Sequence, residues 1–163
     1  MTGYVGKETL KDCGFVRLPN GRVYKQNTLE RYAAAGWLDF GREIYTALDR
    51  LSAGGRLFAD FYLGGLNAVK AVDMAKIRVD GGGSVEKTSR RLFHADRYEK
   101  AVLCVPAEFW PVVRRVVVED LPLKAEGSVL DVKRKLYAQR VDLCRGLDRL
   151  IDFYRGHGVK FSR

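Results

Sequence analysis

The strongest constraint on this chain is an apolar stripe near its C-terminus. Leu143, Leu147, Leu150, Ile151 and Tyr154 recur at helical spacing, so their side chains fall on one side of an α-helix. A helix from about Gln139 to Tyr154 is therefore expected, with one face that other elements must cover. Gly156 and Gly158 would stop it. Upstream, Ser128 can cap a shorter helix running to about Lys135. A brief turn at Lys135-Leu136-Tyr137 would join the two. Two helices across a short turn form the pattern of a helix-turn-helix, whose second helix enters the DNA major groove while the first crosses the backbone.

The remaining segments supply elements that could cover that stripe. Residues 1–14 are polar and read as a tail. Phe15-Val-Arg-Leu18 and Arg22-Val-Tyr-Lys25 flank Pro19-Asn20-Gly21, a hairpin signal because Asn and Gly tolerate positive φ. A lone hairpin is marginal, so packing against helices is expected. Asn27 or Thr28 caps a helix from Thr28 to Ala35 that Gly36 ends. Asp39 is expected to start a long helix whose buried stripe is Ile44, Leu48, Leu51, Gly55, Phe58 and Tyr62, with Gly64-Gly65 at its end.

Residues 66–84 read as a linker, with Met74 to Val79 extended, closing on Asp80-Gly-Gly-Gly-Ser84. Ser84 caps a helix with Thr88, Leu92, Ala95, Tyr98 or Glu99, and Val102 on one face. Pro106 restarts a helix with Phe109, Val112, Val113, Val116 and Val117 inward, and Pro122 ends it.

The chain of 163 residues carries a net charge of +9 and has an isoelectric point near 9.6. Such a surface attracts nucleic acid, anionic membrane or acidic protein. The excess is concentrated toward the C-terminus, where ten basic and five acidic residues follow from Lys124 onward. In a DNA-binding reading Lys133, Arg134 and Lys135 contact phosphates. Gln139, Arg140, Arg145 and Arg149 lie on the polar face of the second helix, and Tyr137 sits in the turn. Arg pairs with guanine and Gln with adenine. Asp142, Asp148 and Asp152 lie in the same stretch and oppose that reading. The alternative is a solvated helix whose Arg and Asp residues pair with one another. Lys87, Arg90, Arg91, Arg97 and Lys100 form a second basic group that either extends a phosphate track or forms a solvated helix face.

Other chemistry finds little support. Cys13, Cys104 and Cys144 are odd in number and far apart, which argues against a disulfide framework. With His94 and His157 they show no metal-ligand spacing. Asp80-Gly-Gly-Gly-Ser84 lacks the Lys-Ser/Thr ending of a P-loop. No nucleophile–base pair and no carboxylate pair is readable, so a non-enzymatic protein without a cofactor is expected. No apolar run is long enough to span a bilayer, and no secretory leader is readable. A cytoplasmic location is the expectation.

Five segments together carry a resemblance. They are Tyr32-Ala-Ala-Ala-Gly-Trp-Leu38, Gly55-Arg-Leu-Phe-Ala-Asp-Phe-Tyr-Leu-Gly-Gly-Leu66, Val79-Asp-Gly-Gly-Gly83, Phe109-Trp-Pro-Val-Val-Arg-Arg-Val-Val-Val118 and Leu143-Cys-Arg-Gly-Leu-Asp-Arg-Leu-Ile-Asp-Phe-Tyr154. In these the chain resembles an uncharacterised alphaproteobacterial helical domain family associated with helix-turn-helix, phage-like transcriptional regulators. The resemblance implies a helical fold and a role in DNA-linked regulation, and it implies no catalytic residues.

The expected fold class is mainly α: a helical domain with a small N-terminal β-hairpin and a C-terminal helix-turn-helix-like helix pair. Residues 1–26 form the tail and hairpin, residues 27–163 the helical domain, and residues 107–156 the helix-turn-helix-like region. The expected function is DNA-binding transcriptional regulation, with double-stranded DNA as partner. The alternative is a non-catalytic interaction module that docks on transcription or DNA-packaging machinery, or pairs with its own copy.

Overall fold

The C-terminal stripe finds its cover in three of the helices that precede it. The computed structural model describes residues 15–40, 44–68 and 84–156. In order these form strands β1 (Phe15–Arg17) and β2 (Val23–Lys25), then helices α1 (Thr28–Ala34) and α2 (Ala47–Leu63) and a 3₁₀ turn (Leu66–Ala68). Helix α3 (Ser84–Cys104) follows, then α4 (Trp110–Val113), which runs on as a π-helical turn (Arg114–Val118), and finally α5 (Val129–Tyr154). The architecture is mainly helical with one small antiparallel hairpin, as expected. The 1–14 tail, Cys13, the extended segment 74–79, the Gly-rich run 80–83, His157 and Gly158 lie outside the described residues.

Strands β1 and β2 pair with Phe15 opposite Lys25 and Arg17 opposite Val23. The loop turns at Gly21, whose φ is +80°, while the Asn20 side chain accepts from the Arg22 amide at 3.0 Å. Only the glycine takes the left-handed conformation there, so the loop is longer than a two-residue turn. Contrary to expectation, β2 is exposed along its length.

Helix α1 begins at a capping box. The Asn27 side chain accepts from the Glu30 amide at 2.8 Å, and the Glu30 carboxylate accepts from the Asn27 amide at 2.9 Å. Helix α2 begins the same way, with Thr46 and Asp49. Its cap therefore lies seven residues later than the one expected at Asp39, and residues 36–40 form a turn. That turn is anchored by the fully buried Leu38 and by Trp37 stacked on Tyr32 at 4.7 Å.

Helix α2 is also rotated from expectation. Its buried residues are Arg50, Ala53, Gly54, Leu57 and Asp60. The expected stripe faces outward instead: Ile44, Leu48, Phe58 and Tyr62 are exposed, Leu48 by 74 %. Both rows have helical spacing. The inward row prevails because its two charged members find partners on α3, α5 and the 36–40 turn.

Helix α3 buries Ala101, leading into the buried Val105, while Leu92 and Leu103 point outward. Of the expected face of α3, Ala95, Tyr98 and Val102 are half-buried, Tyr98 against the core, whereas Thr88 and Leu92 are exposed. Helix α4 and its π-turn agree with the sequence: Val113, Val116 and Val117 are buried, and Phe109 and Val112 pack partly against the core. At the end of the π-turn, Asp120 adopts a φ of +53°. Its carboxylate accepts from the Thr28 amide at 2.6 Å, and its carbonyl accepts from the Thr28 hydroxyl at 3.1 Å. The left-handed residue thus places a negative charge on the positive end of α1.

Helix α5 buries Leu143, Cys144, Gly146, Leu147, Leu150 and Ile151. Gly146 allows a close helix contact: a Cβ built there would lie 2.4 Å from Val113 Cγ2. Val113 is fully buried and stiff at its β-branch, so only glycine lets α4 and α5 approach this closely.

Candidate nucleic-acid interface

Helix α5 is one continuous helix of 26 residues, ~39 Å long at the standard rise. The helix pair expected at Ser128–Lys135 and Gln139–Tyr154 is not formed. The physical reason lies in residues 136–140, Leu-Tyr-Ala-Gln-Arg, which contain no Gly or Pro and several strong helix formers. Nothing there can break the helix. The N-terminal cap is as expected, with Ser128 Oγ accepting from the Asp131 amide at 3.4 Å. Within the 107–156 region, α4 and α5 are separated by the extended segment 119–127 rather than by a tight turn.

The candidate side chains fall into two groups. Three are used by the protein itself. Arg140 donates from Nε to the Trp37 carbonyl at 2.6 Å and from Nη2 to the Gly36 carbonyl at 3.0 Å, and its guanidinium lies over the Phe40 ring at 4.9 Å. It closes the turn between α1 and α2 and does not face a groove. Gln139 donates from Nε2 to the Lys124 carbonyl at 3.1 Å. Lys135 donates to the Glu126 carbonyl at 2.7 Å, keeping two of its three N–H donors. Tyr137 is exposed beside the Phe40 edge, with ring centroids 6.5 Å apart.

The second group is Lys133, Arg134, Arg145 and Arg149. All four are exposed, and none pairs with another described residue. Arg134, Arg145 and Arg149 are separated by about three turns and then one turn of α5, so they form a single outward row.

The acidic residues that seemed to oppose such a row are largely turned inward. Asp148 receives Nε and Nη2 of Arg50 at 2.7 and 2.9 Å, and Asp152 receives the Tyr45 hydroxyl. That hydrogen bond, with burial, raises the Tyr45 pKa. Asp142 remains, half-buried beside the row.

The second basic group does not form a track. Arg91 donates to the Gly64 carbonyl at 3.3 Å, and Lys100 pairs with Asp96 at 2.7 Å. Arg97 holds Asp60 through Nε at 2.8 Å and Nη2 at 2.5 Å. Asp60 is fully buried. It also meets Nδ1 of His94 at 2.8 Å and accepts from the Tyr154 hydroxyl at 2.9 Å. Burial raises its pKa, but the hydrogen bonds from Arg97, His94 and Tyr154 and the Arg97 charge outweigh burial and lower it overall. Burial first, and then the hydrogen bond to Asp60 and its negative charge, push the Tyr154 phenol well up. His94 is thus part of a helix junction and not the surface residue expected from its neighbour Asp96.

Sequence reading missed Arg50 and Asp60. The signal was their register: positions 50, 53, 57 and 60 share a helical face with Ala53 and Leu57. Arg50 also donates from Nη1 to the Leu38 carbonyl at 2.7 Å, so its charge is fully engaged.

One cavity of about 520 Å³ opens between α4, segment 119–127 and α5. Gln139 lines it, and Gln139 Oε1 is buried without a hydrogen-bond partner among the described residues. Such an orphaned acceptor costs about 1–3 kcal/mol.

Among the described residues no group of three His, Cys, Asp or Glu side chains is placed to hold a metal ion, and no helix is long and apolar enough to cross a membrane. Comparison with protein-family models, curated proteins and solved structures gave no match.

Proposed function

We propose that this protein binds double-stranded DNA in a regulatory role, through the outer face of α5. The observation that carries this reading is the row of Arg134, Arg145 and Arg149 with Lys133: exposed cations with no described internal partner, on a chain of net charge +9. Asp148 and Asp152 are turned into the protein, which removes part of the repulsion a phosphate backbone would meet, while Asp131 at the start of α5 is exposed. The resemblance to helix-turn-helix-associated regulators points the same way. The mode of contact differs from a helix-turn-helix, because a single rigid helix offers charges to phosphates without a preceding helix clamped across the backbone. Base-reading roles for Gln139 and Arg140 are not part of this proposal.

The test is a mobility-shift titration on fragmented genomic DNA over a range of salt. Binding that weakens steeply with salt, and weakens further in an Arg134→Ala/Arg145→Ala double variant, supports it. Equal binding by the double variant and the parent sinks the assignment of the site.

A second reading, a non-catalytic interaction module, is favoured by the outward apolar row of α2, where Leu48, Phe58 and Tyr62 are exposed. Failure to shift DNA at low salt, together with loss of a protein complex on Phe58→Ser/Tyr62→Ser, selects it.

A further inference from the structure

Along the outward face of α2, Ile44, Leu48, Leu51, Gly55, Phe58 and Tyr62 follow one another at intervals of four, three, four, three and four residues. This is the heptad spacing with which one helix packs along another. Leu51 is half-buried and the other five are exposed. The charged residues of α2, Asp49, Arg50, Arg56 and Asp60, all lie off this seam. The positions that flank it, Ala47, Ser52 and Ala59, are uncharged.

Beside Gly55 the seam opens into a hollow of about 130 Å³ lined by Leu51, Gly54, Gly55 and Phe58. These stand at i, i+3, i+4 and i+7, the four positions that form the hole for a side chain of a facing helix. Neither glycine has a side chain, so the hole reaches down to Leu29, Val116 and Val117 of the core. A space of about 150 Å³ takes a benzene ring, so one large apolar side chain fills this one. Among the lining residues the charge is confined to Glu30, whose carboxylate already accepts from the Asn27 amide at 2.9 Å. Nothing within the described chain requires Gly55: a Cβ there would meet nothing within 4 Å, and alanine is the better helix former.

The seam is complementary to itself. When two copies lie antiparallel with Gly55 of one facing Leu51 of the other, the remaining positions fall into register: Leu48 against Phe58, and Ile44 against Tyr62. The two-fold axis then repeats every contact, as an isologous interface requires, and each Leu51 enters the hole of the opposite copy. A parallel pair would aim Gly55 at that hole and leave it empty. Charge favours a second copy as well. On a chain of net charge +9, a charge-free face is where two copies meet without repulsion, and it offers no charged flank to select a different helix. We infer that α2 pairs antiparallel with α2 of a second copy, the Leu51 side chain of each filling the hole at Gly55 of the other. This inference rests on the second reading above, to which it gives a partner. It is independent of DNA binding, because the seam lies on the side of α2 turned away from α5, which α2 meets through Arg50.

The test is sedimentation velocity of the full chain between about 1 µM and about 1 mM. The parent is expected to pass from 18.4 kDa to twice that mass as its concentration rises. Leu48→Glu and Phe58→Lys, each at an exposed position, are expected to keep the circular dichroism spectrum of the parent. Each should weaken self-association at least about a hundredfold, because pairing would bury two unpartnered charges. An equimolar mixture of the two variants should regain the dimer, since antiparallel pairing sets the substituted positions opposite each other with opposite charge. A parent that stays monomeric throughout overturns the inference; if Phe58→Ser/Tyr62→Ser still breaks a complex with another protein, the second reading stands without it. A dimer that persists in Leu48→Glu overturns it too, and so does a mixture that stays monomeric.

Discussion

Arg140 Nε donates to the carbonyl of Trp37 across 2.6 Å, joining the middle of α5 to the turn between α1 and α2. The same guanidinium takes the Gly36 carbonyl and covers Phe40. A residue whose position on a basic helix suggested contact with DNA is therefore a clasp inside the fold. Replacing it with Met keeps much of its bulk and removes the charged hydrogen bonds. Urea unfolding of Arg140→Met is expected to show a loss of about 2 kcal/mol, where Arg145→Ala stays within about 0.5 kcal/mol of the parent.

Asp60 makes the fold sensitive to acid. Its pKa is lowered in the folded protein, so its contribution is present above the unfolded carboxylate value, about 3.9, and is lost as pH falls through the folded value. Thermal melts of the parent should lose stability below about pH 4. Asp60→Asn should cost about 3 kcal/mol at neutral pH, tempered because Arg97 stays partly open to solvent, and should show a flatter decline in acid.

Tyr154 has the opposite sign. Its pKa is raised by burial and by the bond to Asp60, so its contribution is full below about pH 10, its unfolded value, and fades as pH climbs toward the folded one. Tyr154→Phe is expected to reduce the alkaline loss of stability seen in circular dichroism melts of the parent.

Two helical glycines should respond in opposite directions. Gly146→Ala places a methyl group against Val113 and is expected to destabilise by about 1–3 kcal/mol. Gly55→Ala meets nothing within 4 Å and should stabilise α2 by about 0.5–1 kcal/mol. Denaturant midpoints of the two variants should therefore move apart. A common direction of shift would contradict the packing described at Gly146.

The outer row of α5 predicts a salt signature. Each phosphate contact adds about 0.9 to the slope of log affinity against log salt. Arg134→Ala/Arg145→Ala should reduce that slope by about 1.8, and its melting temperature should match the parent.

The sequence by itself determined the local features of this protein. The cap at Asn27, the cap at Ser128, the Asn20-Gly21 turn, the inward valines of α4 and the leucine stripe of α5 depend on backbone conformation and on spacing within a single element. Both are properties of neighbouring residues, and both were read correctly. Only the tertiary structure decided which of two helical rows on α2 turns inward. The row containing Arg50 and Asp60 is less apolar, and it is buried because Asp148, Leu38, Arg97, His94 and Tyr154 meet its charges from distant parts of the chain.

The continuity of α5 was legible in the absence of any breaker between Leu136 and Arg140, but a pattern of basic residues suggested a turn there. The division of the basic residues between clasp and surface was legible only in part. Five residues on a helix set Arg140 and Arg145 about 140° apart, and Arg140 falls on the side of the buried Cys144 and Leu147, but nothing in the period records that the carbonyls of Gly36 and Trp37 wait there for its guanidinium. Local propensity and period follow from covalent geometry, which the sequence carries. Partnering of charges follows from which surfaces meet, and that is settled only when the helices pack.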